Sequence, residues 1–166
     1  MDAIEAILTK RDTRDYRPDP IDEAALDRVL QAARMAGSAK NGQLTRIVAV
    51  TDPDVRGQLT GAGDFTSWID RAAAVLVFVV PVDGGRLFDI GRMAQNAMVA
   101  ANALGLASCA ITFHHQDVIR KVLGVPDDLE GPMGITLGHP APPPADRLRG
   151  ARVPLDELVH RDHWRP

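Results

Sequence analysis

The sequence predicts one domain of mixed helix and strand, and three observations lead there. Two long segments carry apolar residues at helical spacing, the nine-residue run "AAAVLVFVV" (Ala72 to Val80) is framed by turn residues, and shorter β-like and helical stretches alternate behind it. At 166 residues the chain has the size of one domain, spanning 1–166, and buries roughly 70% of its unfolded surface, enough for a core without staples.

In order, "DAIEAILTKR" sets Ile4, Ile7 and Leu8 at helical spacing and reads as a short amphipathic helix. After Pro18 and Pro20, "IDEAALDRVLQAARMAG" places Leu26, Val29, Leu30 and Ala33 on one helical face, with Asp22 as N-cap and Gly37 as the stop. A polar loop "SAKNGQLT" follows, then a β-like "RIVAV" (Arg46 to Val50), a capped helix in "DPDVRGQL", and a turn at Gly61 and Gly63. The run to Val80 is apolar on both faces, which predicts a central strand ended by Pro81. "RLFDIGRMAQNAMVAANALG" is small or apolar around most of its circumference and predicts a helix buried on more than one side. "LASCAI" reads as a strand, "HQDVIRKVLG" as a helix with Val118, Val122 and Leu123 on one face, and "MGITLGH" as a last strand. The tail from about 140 to 166 holds too many prolines for regular structure and reads as an extended arm with a short helical turn at "LDELV".

Single strands between helices ordinarily suggest a parallel, doubly wound sheet. The phosphate loop of such folds is missing, because no G-x-G-x-x-G or G-x-x-x-x-G-K follows any strand. A bound phosphate would therefore have to be held by arginine.

Charge and cysteine content narrow the function classes. A net charge of −3 gives no global attraction to nucleic acid or to an anionic membrane surface. One cysteine, Cys109, forms no internal disulfide and suits a reducing compartment, with the cytoplasm as the expected location. The N-terminus lacks a basic region followed by a long apolar stretch, and no run approaches the length of a bilayer span. Against this background "KRDTRDYRPDP" (Lys10 to Pro20) is a local concentration of cations. Arginine forks and a hydroxyl at Arg11, Thr13 and Arg14 suit a phosphate; equally, the stretch is what a solvated helix end looks like, its cations facing the helix C-terminus and pairing with Asp12, Asp15 and Asp19.

The stretch does not stand alone. "RDTRDY", "GSAKNGQLTRIVAV", "DIGRMAQNAMVAANALGLASC", "VIRKVLGVPDD" with "ITLGHPAPPP", and "RVPLDELVH" together resemble, in order and over nearly the whole chain, the motifs of the nitroreductase family of FMN-dependent oxidoreductases. That resemblance implies an α+β, nitroreductase-like fold with a central, mainly antiparallel sheet flanked by helices. It also implies an intertwined homodimer with an exchanged C-terminal arm and FMN at the interface. By the same resemblance Arg11, Thr13, Arg14 and Arg152 would bind the phosphate and ribityl chain, Lys10 would support them, and Arg149 would replace a cation the family carries where Gly150 stands. Ser38, Asn41 and Gln43 would face the flavin; read locally they are only a Ser/Asn turn. Gln95 would reach a ring edge across the dimer or, with Asn96, tie helices together. Thr112 and Phe113 stand where the family has glycines whose N–H groups point at flavin N5, and Leu44 and Thr45 replace its Pro-Trp.

The implied activity is ping-pong hydride transfer from NADH or NADPH through flavin N5 to a small electron-poor acceptor such as a nitroaromatic, quinone or enone, with no acid, base or nucleophile assigned. The alternative is an FMN-binding or sequestering protein of the same fold without efficient turnover, motivated by Thr112-Phe113 in place of the family's glycine and by a segment between Thr60 and Ala73 too brief for a large lid. A third reading is a flavin-free dimeric interaction module. Phe65 and Trp68 either line the pocket mouth or form a local plug. His114 and His115 either contact substrate or nicotinamide or, like the H-x-x-H of His160 and His163, form a pair without the further ligand a metal needs, so no metal site is expected. Cys109 reads as a core residue.

Overall fold

A computed structural model of the chain describes residues 1–142 and 152–164. Among the described residues six α-helices, α1 (Ala3–Thr9), α2 (Glu23–Arg34), α3 (Pro53–Leu59), α4 (Leu87–Ala103), α5 (Gln116–Leu123) and α6 (Leu155–Leu158), accompany four strands, β1 (Arg46–Val50), β2 (Ala74–Pro81), β3 (Ala107–Thr112) and β4 (Leu129–Gly138). Asp2, Asp22 and Asp52 each accept a hydrogen bond from a first-turn N–H of α1, α2 and α3, the capping expected of a short acidic side chain. Helix α5 ends on Gly124 at φ +66°, a left-handed position that suits glycine. The second helix stops at Arg34, three residues before the expected glycine.

The sheet order is β1-β2-β4-β3, and every neighbouring pair is antiparallel. This corrects the parallel, doubly wound alternative and agrees with the α+β fold. The physical reason is long-range pairing. β2 and β3 both run opposite to β4, so they are parallel to each other one strand apart, and the crossover through α4 is a β-α-β unit split by β4. An alternation of helices and strands cannot reveal such an insertion.

β2 is central, as its two apolar faces predict. Leu76, Phe78 and Val80 pack with Ile135 and Leu137 under α2 and α4, while Val75, Val77 and Val79 pack with Ile111, Phe113 and Ile119 under α3 and α5. Each such fully buried side chain contributes about 1.5–3 kcal/mol of apolar transfer energy. Helix α4 turns Ile90, Ala94, Ala97, Met98 and Ala101 to this core, yet Phe88, Gly91, Arg92 and Gln95 remain exposed. The stripe of Ile4, Ile7 and Leu8 on α1 also faces outward, and only Ala6 of that helix is buried. The burial of α4 on several sides is therefore only partly realised within one chain.

Between α1 and α2 the chain runs extended along the outer edge of β3 and the end of β4. Thr13 N–H donates to Ser108 O at 3.1 Å, and Arg17 N–H donates to His139 O at 2.9 Å. Tyr16 fastens this segment: its hydroxyl lies 2.8 Å from Thr13 O and 2.7 Å from Thr136 Oγ1, and its ring lies over Gly138, where a Cβ would come within 2.6 Å of Cδ1. Tyr16→Phe is expected to cost about 1 kcal/mol, since Thr136 keeps Cys109 O as a partner. Burial raises the phenol above its ordinary value, so the neutral side chain's contribution is whole below about pH 10 and lost as pH rises further. Denaturant titrations at pH 7 and pH 10.5 check both effects, and a variant that loses stability with alkali as steeply as the parent would contradict the assignment.

Candidate functional site

The cationic stretch divides its residues by the geometry of an extended chain. Lys10, Asp12 and Arg14 project to one side and act on the Cys109 thiol: burial pushes the thiol above its ordinary value, Asp12's charge adds to this, and the Arg14 guanidinium opposes it. Lys10 Nζ meets Asp12 Oδ1 at 2.5 Å, with the lysine side chain largely buried. Arg11 turns back to α1 and donates to Leu8 O and Lys10 O, both at 2.7 Å, which is the helix-cap role. The Thr13 hydroxyl accepts the Asp15 N–H at 3.3 Å, and Asp15 faces Arg71 at 3.8 Å. Arg14 is in none of these ion pairs. Its guanidinium carbon lies 5.3 Å from the centroid of Trp68, a cation–π stack that holds the fork in place.

Arg14 lines a cleft of about 320 Å³ with Phe65, Thr66, Ala110, Thr112 and His114. The floor is the free edge of the sheet. Phe113 N–H donates inward to Pro132 O while Ser108 O faces the edge segment, so the alternation turns the backbone polar groups of Ala110 and Thr112 outward into the cleft. Phe113 itself faces the core, 3% exposed. Its ring fits because β4 has Gly134 beneath it: a Cβ there would lie 2.8 Å from Phe113 Cε2.

The far wall is the segment 60–71, and it is tightly built. The buried Thr66 hydroxyl donates to Thr60 O or Gly63 O at 2.8 and 2.7 Å. Gly63 sits so close to β3 that a Cβ would meet Thr112 O at 2.7 Å. Trp68 is buried and donates to Phe65 O at 2.7 Å, whereas Phe65 is 73% exposed at the mouth. The two aromatics thus take the two roles the sequence left open, Trp68 the plug and Phe65 the mouth. His115 Nε2 lies 2.9 Å from Asp64 Oδ1, and Asp64 N–H donates to His114 Nδ1 at 3.2 Å. Among the described residues no three His, Cys, Asp or Glu side chains are grouped to hold a metal ion.

Ser38, Asn41 and Gln43 lie elsewhere. Ser38 Oγ accepts the Gln43 N–H at 3.0 Å, Gln43 Nε2 donates to Asn41 Oδ1 at 3.1 Å, and Lys40, Asn41 and Gln43 all adopt positive φ. Three non-glycine residues in that region cost on the order of 1–3 kcal/mol each, strain of the kind that gathers at functional loops. Ser38 and Gln43 line a second cleft with Arg34, Arg46 and the buried Asp89, and it shares no lining residue with the first. Gln95 lines a third with Phe88 and Arg92, and Asn96 donates to Ala32 O at 3.2 Å, tying α4 to α2. Arg152 is exposed and lines none of the three, and Arg149 and Gly150 fall outside the described residues. A single chain therefore brings together Arg14, Thr112 and the neighbours of Lys10, but not the 38–43 loop, Gln95 or Arg152.

The resemblance singled out the backbone of Thr112 and Phe113, of which the Phe113 N–H is used inward by Pro132 O; the edge backbone of Ala110, and Asp12 and Asp64 beside the cleft, were not legible as site features, because nothing local in the sequence says which strand borders the sheet. FMN fits the first cleft in kind: a guanidinium with no carboxylate partner among the described residues, outward backbone N–H groups and an aromatic wall match an anionic, planar cofactor, while the Lys10 ammonium stands outside the cleft lining in its pair with Asp12. Asp12 is the member that opposes it.

Comparisons with known proteins bear on the family and the fold. The chain is 29% identical over 180 residues to an NADPH-flavin oxidoreductase of Vibrio harveyi, covering 97% of this chain and 74% of that one. It is also 29% identical over 198 residues to an NADH dehydrogenase of Thermus thermophilus, covering 96% and 95%. The crystal structure of nitroreductase A from Vibrio parahaemolyticus superposes with a TM-score of 0.86 at 28% identity, over all of this chain and 78% of the other. The description "Nitroreductase family" matches residues 7–80 and 69–139, which between them take in the cationic stretch, the 38–43 loop, the sheet and the histidine pair: the chain belongs to the nitroreductase family.

Proposed function

We propose that the chain is an NAD(P)H-dependent flavin oxidoreductase that holds FMN against the outer edge of β3 and reduces an electron-poor acceptor, a nitroaromatic, quinone or enone. The observation that carries this is Arg14, a guanidinium stacked on Trp68 in a cleft floored by the backbone of Ala110 and Thr112. The relatives' names, NADPH-flavin oxidoreductase and FMN reductase among them, support the same chemistry. FMN held there by Arg14 and the β3 edge would supply two-electron, ping-pong hydride chemistry at N5 between NADH or NADPH and the acceptor.

The chain's own part is binding and orientation. Arg14, supported by Lys10, would supply positive charge, the outward N–H of Thr112 would be a donor for the cofactor, and Trp68 keeps the Arg14 fork from swinging into solvent. Arg11 and Thr13 act through the backbone they fix, and Arg152 closes the site from the arm. Ser38, Asn41, Gln43 and Gln95 reach the flavin from a second copy, which joins two half-sites that one chain keeps apart. The outward apolar stripes of α1 and α4 favour that homodimer. Among the described residues no helix is long and apolar enough to cross a membrane. The holding role without turnover rested on the Thr112-Phe113 replacement and on the short segment before Ala73; the Phe113 ring, turned into the core, does not supply the crowding part of that case.

Initial rates measured over a grid of NADPH and quinone concentrations test the reading: parallel double-reciprocal lines are expected, and no flavin-dependent rate with any acceptor class would contradict it. Asp12→Asn releases Lys10 from its ion pair and removes a negative charge beside the site. It is expected to tighten FMN about 3- to 10-fold, since a partly exposed charge pair is worth about 1 kcal/mol. Fluorescence quenching titration of FMN checks this, and weaker binding would mean that Asp12 is needed to place Lys10.

A further inference from the structure

We propose that His114 recognises the electron acceptor, donating a hydrogen bond from Nε2 to a nitro or carbonyl oxygen of a planar molecule seated beside Phe65. The inference rests on the flavin reading above and names the group that would select the acceptor.

Tautomer and placement carry it. His114 Nδ1 accepts the Asp64 N–H at 3.2 Å, and a ring nitrogen that accepts carries no proton, so the hydrogen of the neutral ring sits on Nε2. The ring lines the same cleft as Arg14 and Thr112, with its side chain 40% exposed. Nε2, across the ring from the occupied Nδ1, is the donor left for a ligand.

The ring is also held still. His114 N–H and His115 N–H both donate to Ala62 O at 3.0 Å. The contact between His115 Nε2 and Asp64 Oδ1 at 2.9 Å fixes the residue whose backbone sets the His114 tautomer. Gly63 closes the remaining gap, since a Cβ there would lie 2.7 Å from Thr112 O and 3.3 Å from His114 Nδ1. A donor fixed in this way loses little freedom on binding. Phe65 meets the His114 ring edge-on at a centroid distance of 6.4 Å and presents an exposed aromatic face for a flat ligand. An aromatic wall beside one fixed donor matches a flat ring that carries an oxygen acceptor; it gives an aliphatic substrate no advantage.

The test uses the oxidised, FMN-loaded protein without reductant, so that ligands bind but do not turn over. Dissociation constants of 4-nitrobenzyl alcohol and of benzyl alcohol, which lacks the nitro oxygens, are read from the flavin absorbance for the parent, His114→Phe and His114→Gln. His114→Phe keeps an aromatic ring and removes the donor; it is expected to weaken 4-nitrobenzyl alcohol about tenfold, or about 1.4 kcal/mol, and to leave benzyl alcohol within twofold. His114→Gln restores an N–H and is expected to recover most of the loss. A His114→Phe variant that binds the nitro compound as the parent does, or that loses both alcohols equally, overturns the inference while the flavin reading stands. A parent protein that retains no flavin overturns the flavin reading and this inference with it.

Discussion

Arg14→Ala is expected to weaken FMN binding about 10- to 100-fold, the value of one charge-assisted hydrogen bond at about 1.5–3 kcal/mol. The effect is large because no other cation of the stretch is equally placed. Arg11 is turned onto carbonyls of α1, Lys10 is tied to Asp12, and Arg17 pairs with Asp19 at 3.2 Å. Arg14→Lys keeps the charge but loses the fork and most of the stack on Trp68, so a loss of intermediate size is expected. Thermal melts of the flavin-free variants separate binding from folding. Arg14 meets the core at Trp68 and at the Cys109 thiol, and the melting temperature of Arg14→Ala is expected to stay within a few degrees of the parent's. Unchanged FMN affinity in Arg14→Ala would move the phosphate site elsewhere on the chain.

Gly134→Ala is expected to destabilise the fold by about 3 kcal/mol, near the upper end for overpacking, and to lower the melting temperature by roughly 10 °C. The added methyl would stand 2.6 Å from Leu76 O, a backbone atom of the central strand, and 2.8 Å from Phe113 Cε2. Neither can yield cheaply, because Leu76 sits in the middle of the β2 to β4 pairing and Phe113 is fixed at the end of β3. The second contact gives a sharper check. Phe113→Leu in the Gly134→Ala background removes one of the two clashes, so the pair is expected to be less destabilised than the sum of the singles by about 1 kcal/mol. Strict additivity would mean that the ring does not rest on Gly134. The same contact bears on function, because a displaced Phe113 would move the adjacent edge of β3 at Thr112.

Much of this was legible in the sequence, and the reasons are physical. Strand β2 announced itself because both faces are buried and eight successive residues from Ala74 carry no polar side chain. Asp22 and Asp52 marked helix starts because a short carboxylate at the N-cap is a local interaction. Strand order was not local: that β4 lies between β2 and β3 depends on pairings distant in the chain, such as Ala74 with Leu137 and Ala107 with Gly138, and with it went the identity of the free edge. Arg11 and Arg14 look alike in the sequence, and only the extended path along β3, fastened by Tyr16 over Gly138, decides which one faces the cleft. Phe113 misled for a related reason. A large residue in place of a glycine reads as an obstruction until the alternation of β3 turns it inward and Gly134 makes room for it.

The most direct test of the central claim is the visible spectrum of the protein after incubation with FMN and desalting, recorded before and after anaerobic addition of NADH or NADPH. Retained flavin at about one per chain that bleaches with a reduced nicotinamide is the predicted result. A colourless protein, or a flavin that stays yellow with both nicotinamides, would contradict it.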